Sequence, residues 1–170
     1  MLVLRATQKV LRLLPQSAGD EDVSDTALGD WYINRTVIDR QPLLLCVSSN
    51  SLLALLTPAS DVKSLPGRFP KLVAQRLELL GIDAYLIASE LTAMQDVRVG
   101  RTLDRSVLGT MVDFAKVLPY YLTHNTRDTM DFRLAERRFS ETPCRCGSRN
   151  AIWPHSETLR LLTVRWQNAE

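Results

Sequence analysis

The first half of the chain alternates short apolar runs with polar, turn-forming residues. Residues 31–38 are rich in β-branched and aromatic side chains, residues 43–47 are fully apolar, and residues 52–57 form a third apolar run. The segments 39–42 and 48–51 between them carry Asp, Pro, Ser and Asn, which are typical of turns. Connections this short favour antiparallel neighbours. The pattern therefore predicts a three-stranded β-meander.

Beyond Pro58 the apolar residues change from alternation to the spacing of amphipathic helices. Gly81 follows the first of these segments, where a residue in the left-handed conformation commonly ends a helix. A short strand is predicted at residues 97–99. The predicted helices run from Phe69 to Leu80, over residues 84–94 and 104–122, from Asn125 or Thr126 to about Phe139, and, as a short helix, onward from Trp153 and Pro154. The predicted fold class is α+β, with a small antiparallel sheet packed with helices.

The N-terminus predicts a short strand at Leu2–Ala6, followed by a helix of one or two turns that Thr7 caps. A secretory signal peptide is the alternative, but Arg5, Lys9 and Arg12 interrupt its apolar stretch. The arginine-rich, acid-free start also has some features of an organellar transit peptide. The strand and helix fit the pattern better than either targeting segment.

One segment, residues 17–30, is markedly polar and carries five acidic side chains and no basic one. It predicts a solvated, mobile loop between the N-terminal unit and the rest of the chain. No internal repeat or second domain boundary is evident, and 170 residues suffice for one self-sufficient core. Residues 1–170 are therefore predicted to form a single domain.

The amino-acid composition excludes several classes of protein. Apolar residues make up 45% and charged residues 24%, which excludes disordered and collagen-like chains. The net charge of +2 disfavours a protein that coats nucleic acid by bulk electrostatics. Of the 21 basic residues 17 are arginine, so a local arginine-built anion site is still compatible with the composition.

Membrane association and secretion are not expected. Residues 41–60 carry no charge, but the polar turn at 48–51 lies at their centre, and Pro42 and Pro58 bracket them, so a spanning helix is excluded. Three cysteines in a chain without a secretion signal favour a reducing cytoplasm.

Residues 97–114 read V-R-V-G-R-T-L-D-R-S-V-L-G-T-M-V-D-F. This string resembles the hallmark of an uncharacterised bacterial family, a domain of unknown function, with the segment [KR]-T-x-x-R-S-V-L-G-x-M-x-D-F. The resemblance extends over about residues 1–165, with matches at Gly29-Asp30-Trp31, at Thr142-Pro143 and at Pro154. Arg101 stands where lysine is more common, and the Cys144-Arg-Cys146 insert departs from the pattern. The resemblance implies a fold and a bacterial origin, and no activity.

The start of the helix predicted at 104–122 is a candidate anion or partner site. A helix N-terminus has unpaired backbone N–H groups and a partial positive charge, and arginine adds a planar fork that suits phosphate or carboxylate. The residues concerned are Arg101, Thr102, Arg105 and Ser106, with Asp113 farther along the helix. The alternative is structural: Asp104 or Thr102 caps the helix, and Arg105 pairs with a surface acid such as Asp113.

A second candidate surface is the locally basic region 129–150. A helix there presents a cationic stripe, because its residues Arg133 and Arg137 are one turn apart. Arg138 adds to it, and the aromatic side chains of Phe132, Phe139 and Trp153 suit stacking on bases. The alternative is a solvated face whose arginines pair with acids such as those of residues 17–30.

No metal or cofactor is expected. Cys144, Cys146 and His155 form a weak zinc candidate, which His124 or Cys46 would have to complete. The cysteines are closer together than zinc pairs usually are, so free thiols are the alternative. The pairs Asp20/Asp22 and Asp128/Asp131 suit Mg²⁺ chemically but fall in segments that the pattern assigns to exposed loops.

These features favour a non-enzymatic binding or accessory protein with a protein partner or, alternatively, a nucleic-acid partner. An association with mobile elements or phage conflict is an analogy only. The alternative is a small enzyme acting on a phosphorylated or carboxylated substrate at Arg101, Arg105, Ser106 and Asp113; no common catalytic motif is present. A third hypothesis is an obligate subunit whose uncharged hairpin at 41–60 extends a partner's sheet. The sequence predicts no oligomeric state.

Overall fold

A computed structural model describes residues 1–124 and 130–167 of the chain. The main sheet has five strands: β1 (Leu2–Ala6), β2 (Trp31–Ile38), β3 (Gln41–Ser48), β4 (Ala54–Pro58) and β5 (Val97–Arg101). Their order in the sheet is β4–β3–β2–β1–β5. The predicted meander is confirmed in β2, β3 and β4, and β1 pairs in parallel with both β2 and β5. The α+β class is therefore confirmed, in a mixed sheet that is mostly antiparallel.

Helices cover both faces of the sheet. Because side chains of a strand alternate between faces, Leu44 and Cys46 of β3 belong to one apolar core with α2 (Leu65–Leu79) and α3 (Ala84–Ala93). Leu45 belongs to a second core with α4 (Arg105–Tyr121) and α5 (Arg133–Glu141). A ribbon of β6 (Thr123–His124) and β7 (Met130–Asp131) lies apart from the main sheet. The helices are α1 (Gln8–Leu11), α2 (Leu65–Leu79), α3 (Ala84–Ala93), α4 (Arg105–Tyr121), α5 (Arg133–Glu141) and α6 (Pro154–Trp166).

Several element boundaries differ from the predicted ones. Helix α2 begins at Leu65 rather than Phe69, because Leu65 is buried and a proline suits the first turn of a helix. Strand β4 begins at Ala54, since Leu52 has a φ of +58° and lies in the preceding turn. The predicted start of a helix at Asn125 or Thr126 lies outside the described residues, and α5 begins at Arg133. Helix α6, predicted to be short, continues to Trp166. None of the described helices is long and apolar enough to cross a membrane.

The buried Arg5 side chain fastens the acidic segment 17–30 to the sheet. Its Nε donates to Asp30 Oδ2 at 2.8 Å, its Nη1 donates to the carbonyl of Gly19 at 3.1 Å, and its Nη2 donates to the carbonyl of Asp22. Ser17 and Ala18 donate their backbone N–H groups to the carbonyl of Val99 on the edge strand β5. Part of the edge of β5 is therefore paired within the chain. The mobility of the segment stays a prediction.

Candidate functional site

The start of α4 is a capped helix terminus. Asp104 Oδ1 accepts hydrogen bonds from the backbone N–H groups of Ser106 at 2.7 Å and Val107 at 3.4 Å. Tyr32 Oη accepts a hydrogen bond from the Asp104 N–H at 3.0 Å. The capping alternative is thus the arrangement that the structure shows, and Asp104 occupies donors that an anion would use.

The other residues predicted at this site are placed separately. Arg101 forms an exposed ion pair with Asp20, and Arg105 is exposed at the first position of α4. Asp113 pairs with Lys116 at 3.5 Å rather than with Arg105. Asp113 also lines a cavity of about 260 Å³ between α4, α5 and residues 142–145, whose lining does not include Arg101, Arg105 or Ser106.

The loop after α5 lies on this helix start, which the sequence did not indicate. Arg149 Nη1 donates to the carbonyl of Ser49 at 2.9 Å, and its Nη2 lies 4.0 Å from Asp104 Oδ2. A Cβ atom on Gly147 would come within 2.8 Å of Ser106 Oγ. The two predicted basic regions therefore meet at Arg149, where an acid and a carbonyl already hold the guanidinium.

Cys144 and Cys146 are buried thiols in the core below α4 and α5. Burial raises the pKa of Cys144 to about 11, so its thiolate is scarce at neutral pH. His155 lies instead at a cavity beside α2 and α5. Among residues 1–124 and 130–167, no group of three or more His, Cys, Asp or Glu side chains is placed to hold a metal ion.

A larger cleft lies between α2, β4 and α5, and we call it the α2–α5 cleft. Its volume is about 530 Å³, within the range common for ligand sites. An adjoining cavity of about 270 Å³ shares Arg76, Leu79, Arg133 and Glu136 with it and reaches His155 at the start of α6. The lining of the cleft combines apolar and charged side chains: Leu55, Leu56, Leu72, Gln75, Arg76, Glu78, Leu79, Asp131, Phe132, Arg133 and Glu136.

A buried ion pair forms the polar part of this cleft. Arg76 Nε lies 3.7 Å from Glu136 Oε2, and the two side chains are only 4% and 9% exposed. Arg76 Nη2 also donates to the carbonyl of Glu136 at 2.8 Å. Burial raises the pKa of Glu136 and lowers that of Arg76, and the charge of each partner opposes the shift of the other. Perturbed ionisable groups that line a cleft are typical of functional sites.

The same pair closes the edge of β4. Arg76 Nε donates to the carbonyl of Ala54 at 3.0 Å, and Glu136 Oε1 accepts from the N–H of Leu56 at 2.8 Å. These backbone groups would otherwise be open to a neighbouring strand. The structure therefore gives little support to the hypothesis that the hairpin at 41–60 extends a partner's sheet, because α2 and α5 occupy these positions.

The family match extends over the residues on both sides of this cleft. The sequence model of DUF6933, a domain of unknown function, matches residues 3–157. The chain belongs to the DUF6933 family. The membership confirms the family resemblance found in the sequence, and the Arg76–Glu136 pair lies within the matched residues. No curated protein and no solved structure matches the chain.

Sequence reasoning missed the buried Arg76–Glu136 pair that lines the cleft of this DUF6933 member. Arg76 lies three residues beyond Val73 and directly before Leu77, on the buried face of α2. An arginine inside an apolar helical stripe is a usable signal, because a buried charge needs a partner. Glu136 follows the buried Ala135 in the same way on α5. Of the predicted basic surface, Arg133 lines both cavities and Arg137 lines the adjoining one, while Arg138 is exposed on α5 outside both.

Glu90 is a second missed carboxylate, and it lies fully buried on α3. Its Oε2 accepts hydrogen bonds from the Ala27 N–H at 2.9 Å and from Trp166 Nε1 at 2.8 Å. Its Oε1 accepts from the Leu28 N–H at 3.1 Å. One carboxylate therefore ties α3 to the end of the acidic segment and to the end of α6, away from the α2–α5 cleft.

The burial of Glu90 predicts a pH dependence of stability. Burial raises its pKa in the folded protein, although its three hydrogen bonds and Arg165 oppose the shift. The folded state therefore binds this proton more tightly than the unfolded state, so the stabilisation is complete below the unfolded pKa and is lost as pH rises through the folded pKa. We expect the stability of the wild type relative to Glu90→Gln to fall as pH rises from about 4 to 7. Urea unfolding of both proteins across this range measures the difference, and a difference that grew with pH would contradict the expectation.

Proposed function

We propose that this DUF6933 member acts by binding rather than by catalysis, and that a protein partner places part of its chain in the α2–α5 cleft. The observation that carries the proposal is the buried Arg76–Glu136 pair, which lines a cleft large enough for one or two side chains. The pair is held by backbone contacts on two elements, so the site is formed before a partner arrives. Preorganised groups of this kind lower the ordering cost of binding.

The surroundings of the cleft support a protein partner. Leu79 at its rim is 59% exposed. Exposed Arg133 and Arg137 lie along α5 on the same side. Arginine is among the residues that dominate the energetics of protein interfaces, and here it lies beside apolar walls.

A nucleic-acid partner has less support from the contacts. Arg137 Nε donates to Glu141 at 2.9 Å, and Arg149 and Arg101 are likewise held by groups of the chain itself. Phosphate contacts would have to replace these pairs. Arg133 and Arg137 of the predicted basic surface are instead proposed contact residues for the protein partner.

The enzyme alternative at the start of α4 is also less supported. Asp104 uses the helix donors, Arg101 pairs with Asp20, and the cavity at Asp113 is lined by other residues. A bacterial cytoplasmic setting stays part of the proposal, and the three free cysteines fit it.

A charge placed at the mouth of the cleft is expected to weaken partner capture. Leu79→Glu puts a carboxylate at the rim, and Val112→Glu makes the same change on α4, at a site of similar exposure (59% and 52%). The tagged wild type and both variants are purified from the native host, and co-purifying proteins are quantified by mass spectrometry. We expect at least one protein that is retained by the wild type and Val112→Glu but falls at least about tenfold with Leu79→Glu, since a desolvated charge at an interface costs more than 1.4 kcal/mol.

Two results of the same purification would contradict the proposed contact surface or the proposed class of partner. Equal recovery of every protein by the three baits would contradict the cleft as the contact surface. Nucleic acid that is retained by all three and released by salt would favour a nucleic-acid partner instead.

A further inference from the structure

The Arg76–Glu136 pair indicates the chemical class of the group that enters the α2–α5 cleft. Resting on the proposed function, we infer that the cleft recognises a carboxamide of the partner, either a backbone amide or an Asn or Gln side chain. The inference follows from the donor and acceptor that Arg76 and Glu136 present together.

The pair already recognises an amide edge on its other side. The guanidinium of Arg76 donates to the carbonyl of Ala54, and the carboxylate of Glu136 accepts from the N–H of Leu56. One cation and one anion thus substitute for the donor and acceptor of a neighbouring strand. An amide is the group that offers a carbonyl and an N–H in matching positions.

Both side chains have hydrogen-bonding capacity beyond these contacts, and both line the cleft. The two hydrogen bonds from Arg76, to Ala54 and to the carbonyl of Glu136, use only part of its guanidinium donors. Glu136 binds Leu56 through Oε1, and Oε2 lies 3.7 Å from Arg76 Nε. This remaining capacity lies at the cleft, where water or a ligand group can meet it.

The balanced charge of the pair favours a neutral ligand group beside it. Arg76 is balanced by Glu136, and the other charged residues of the lining are Arg133, Glu78 and Asp131. Asp131 Oδ1 accepts the backbone N–H of Arg133 and lines the cleft beside it. A carboxylate or an ammonium group would bring an uncompensated charge to a buried site, which costs more than a neutral amide.

The walls suit the carbon skeleton next to such an amide. Leu55, Leu72, Leu79 and Phe132 are among the residues that line the cleft. Apolar walls with a few convergent polar groups are the usual construction of a binding pocket. Such walls suit an aromatic or branched side chain next to a neutral amide.

Three ligands of one shape test this inference. Phenylacetamide, phenylacetate and 2-phenylethylammonium share a benzyl group and differ in the charge of the polar end. Each is titrated at neutral pH into the full-length protein labelled with nitrogen-15, and backbone amide shifts at Leu56, Gln75 and Phe132 report occupancy of the cleft. We expect phenylacetamide to bind at least about tenfold more tightly than either charged compound.

The variant Glu136→Gln gives a reversal of preference. It leaves Arg76 without its carboxylate, so the pair site becomes cationic and phenylacetate should then bind best. The matched control is Glu141→Gln, which makes the same change at the exposed partner of Arg137 and should keep the preference for phenylacetamide.

The outcomes separate this inference from the proposed function. A wild-type preference for phenylacetate or 2-phenylethylammonium, or no shift at the cleft with all three, overturns the carboxamide inference. Either result leaves the protein-binding proposal standing if partner capture still depends on Leu79. Loss of that dependence with a retained amide preference overturns the protein partner and keeps the ligand class.

Discussion

Glu90→Ala is expected to lower the free energy of unfolding by about 4 kcal/mol, because it leaves three buried donors without an acceptor. The donors are the N–H groups of Ala27 and Leu28 and Nε1 of Trp166, which all point at one carboxylate. Water can replace part of the loss, which keeps the figure below the sum of three orphaned groups. Chemical unfolding in urea at neutral pH measures the change.

Two comparisons identify the lost hydrogen bonds as the cause. Glu90→Gln keeps one carbonyl acceptor and is expected to cost about half as much. Thr92→Ala removes an exposed hydroxyl from the same helix, whose bond to the Ala88 carbonyl is local, and should change stability by less than about 0.5 kcal/mol. A small effect of Glu90→Ala, close to that of Thr92→Ala, would show that the carboxylate does not hold these elements together.

Arg76→Met is expected to cost about 4 kcal/mol, since it leaves the Glu136 carboxylate buried without its partner charge. It also removes the donors to the carbonyls of Ala54 and Glu136. Both side chains of the pair are buried, so solvent cannot replace the lost interaction as it does for a surface ion pair. The unfolding free energy at neutral pH is again the measurement.

The second substitution should rescue part of that loss. In the double variant Arg76→Met with Glu136→Gln no charge is left stranded, and the glutamine carbonyl can still accept the Leu56 N–H. We expect the double variant to be more stable than Arg76→Met alone by about 2 kcal/mol. A double variant that loses the sum of the two single effects would mean that the residues do not act as a pair.

The meander and most helices could be predicted because their signals are local. The apolar alternation of β2, β3 and β4 and the helical spacing after Pro58 are contained in short windows of sequence. The parallel pairing of β1 with β5 is not, since it joins Leu4 to Val99 across most of the chain. No local pattern encodes which strands of a sheet become neighbours over such separations.

The candidate site likewise combines a local feature that could be predicted with a long-range contact that could not. Asp104 could be proposed, with Thr102, as one of two capping residues because capping depends on neighbours within one turn. The Arg76–Glu136 pair joins two helices 60 residues apart, and each residue alone looks like a polar position on an apolar face. The exposed arginines form a visible basic pattern in the sequence, whereas the buried Arg76, which lines the α2–α5 cleft, does not.

The measurement that tests the account most directly compares two double variants as baits for the co-purifying protein. One is Arg76→Met with Glu136→Gln, which removes the two buried charges of the α2–α5 cleft, and the other is Arg101→Ala with Arg105→Ala at the start of α4. Circular dichroism first confirms that both are folded. The account predicts that the cleft variant recovers at least about tenfold less partner, a loss of more than 1.4 kcal/mol in binding, while the α4 variant recovers as much as the wild type. Full recovery by the cleft variant together with loss by the α4 variant would contradict it and would place the contact surface at the start of α4.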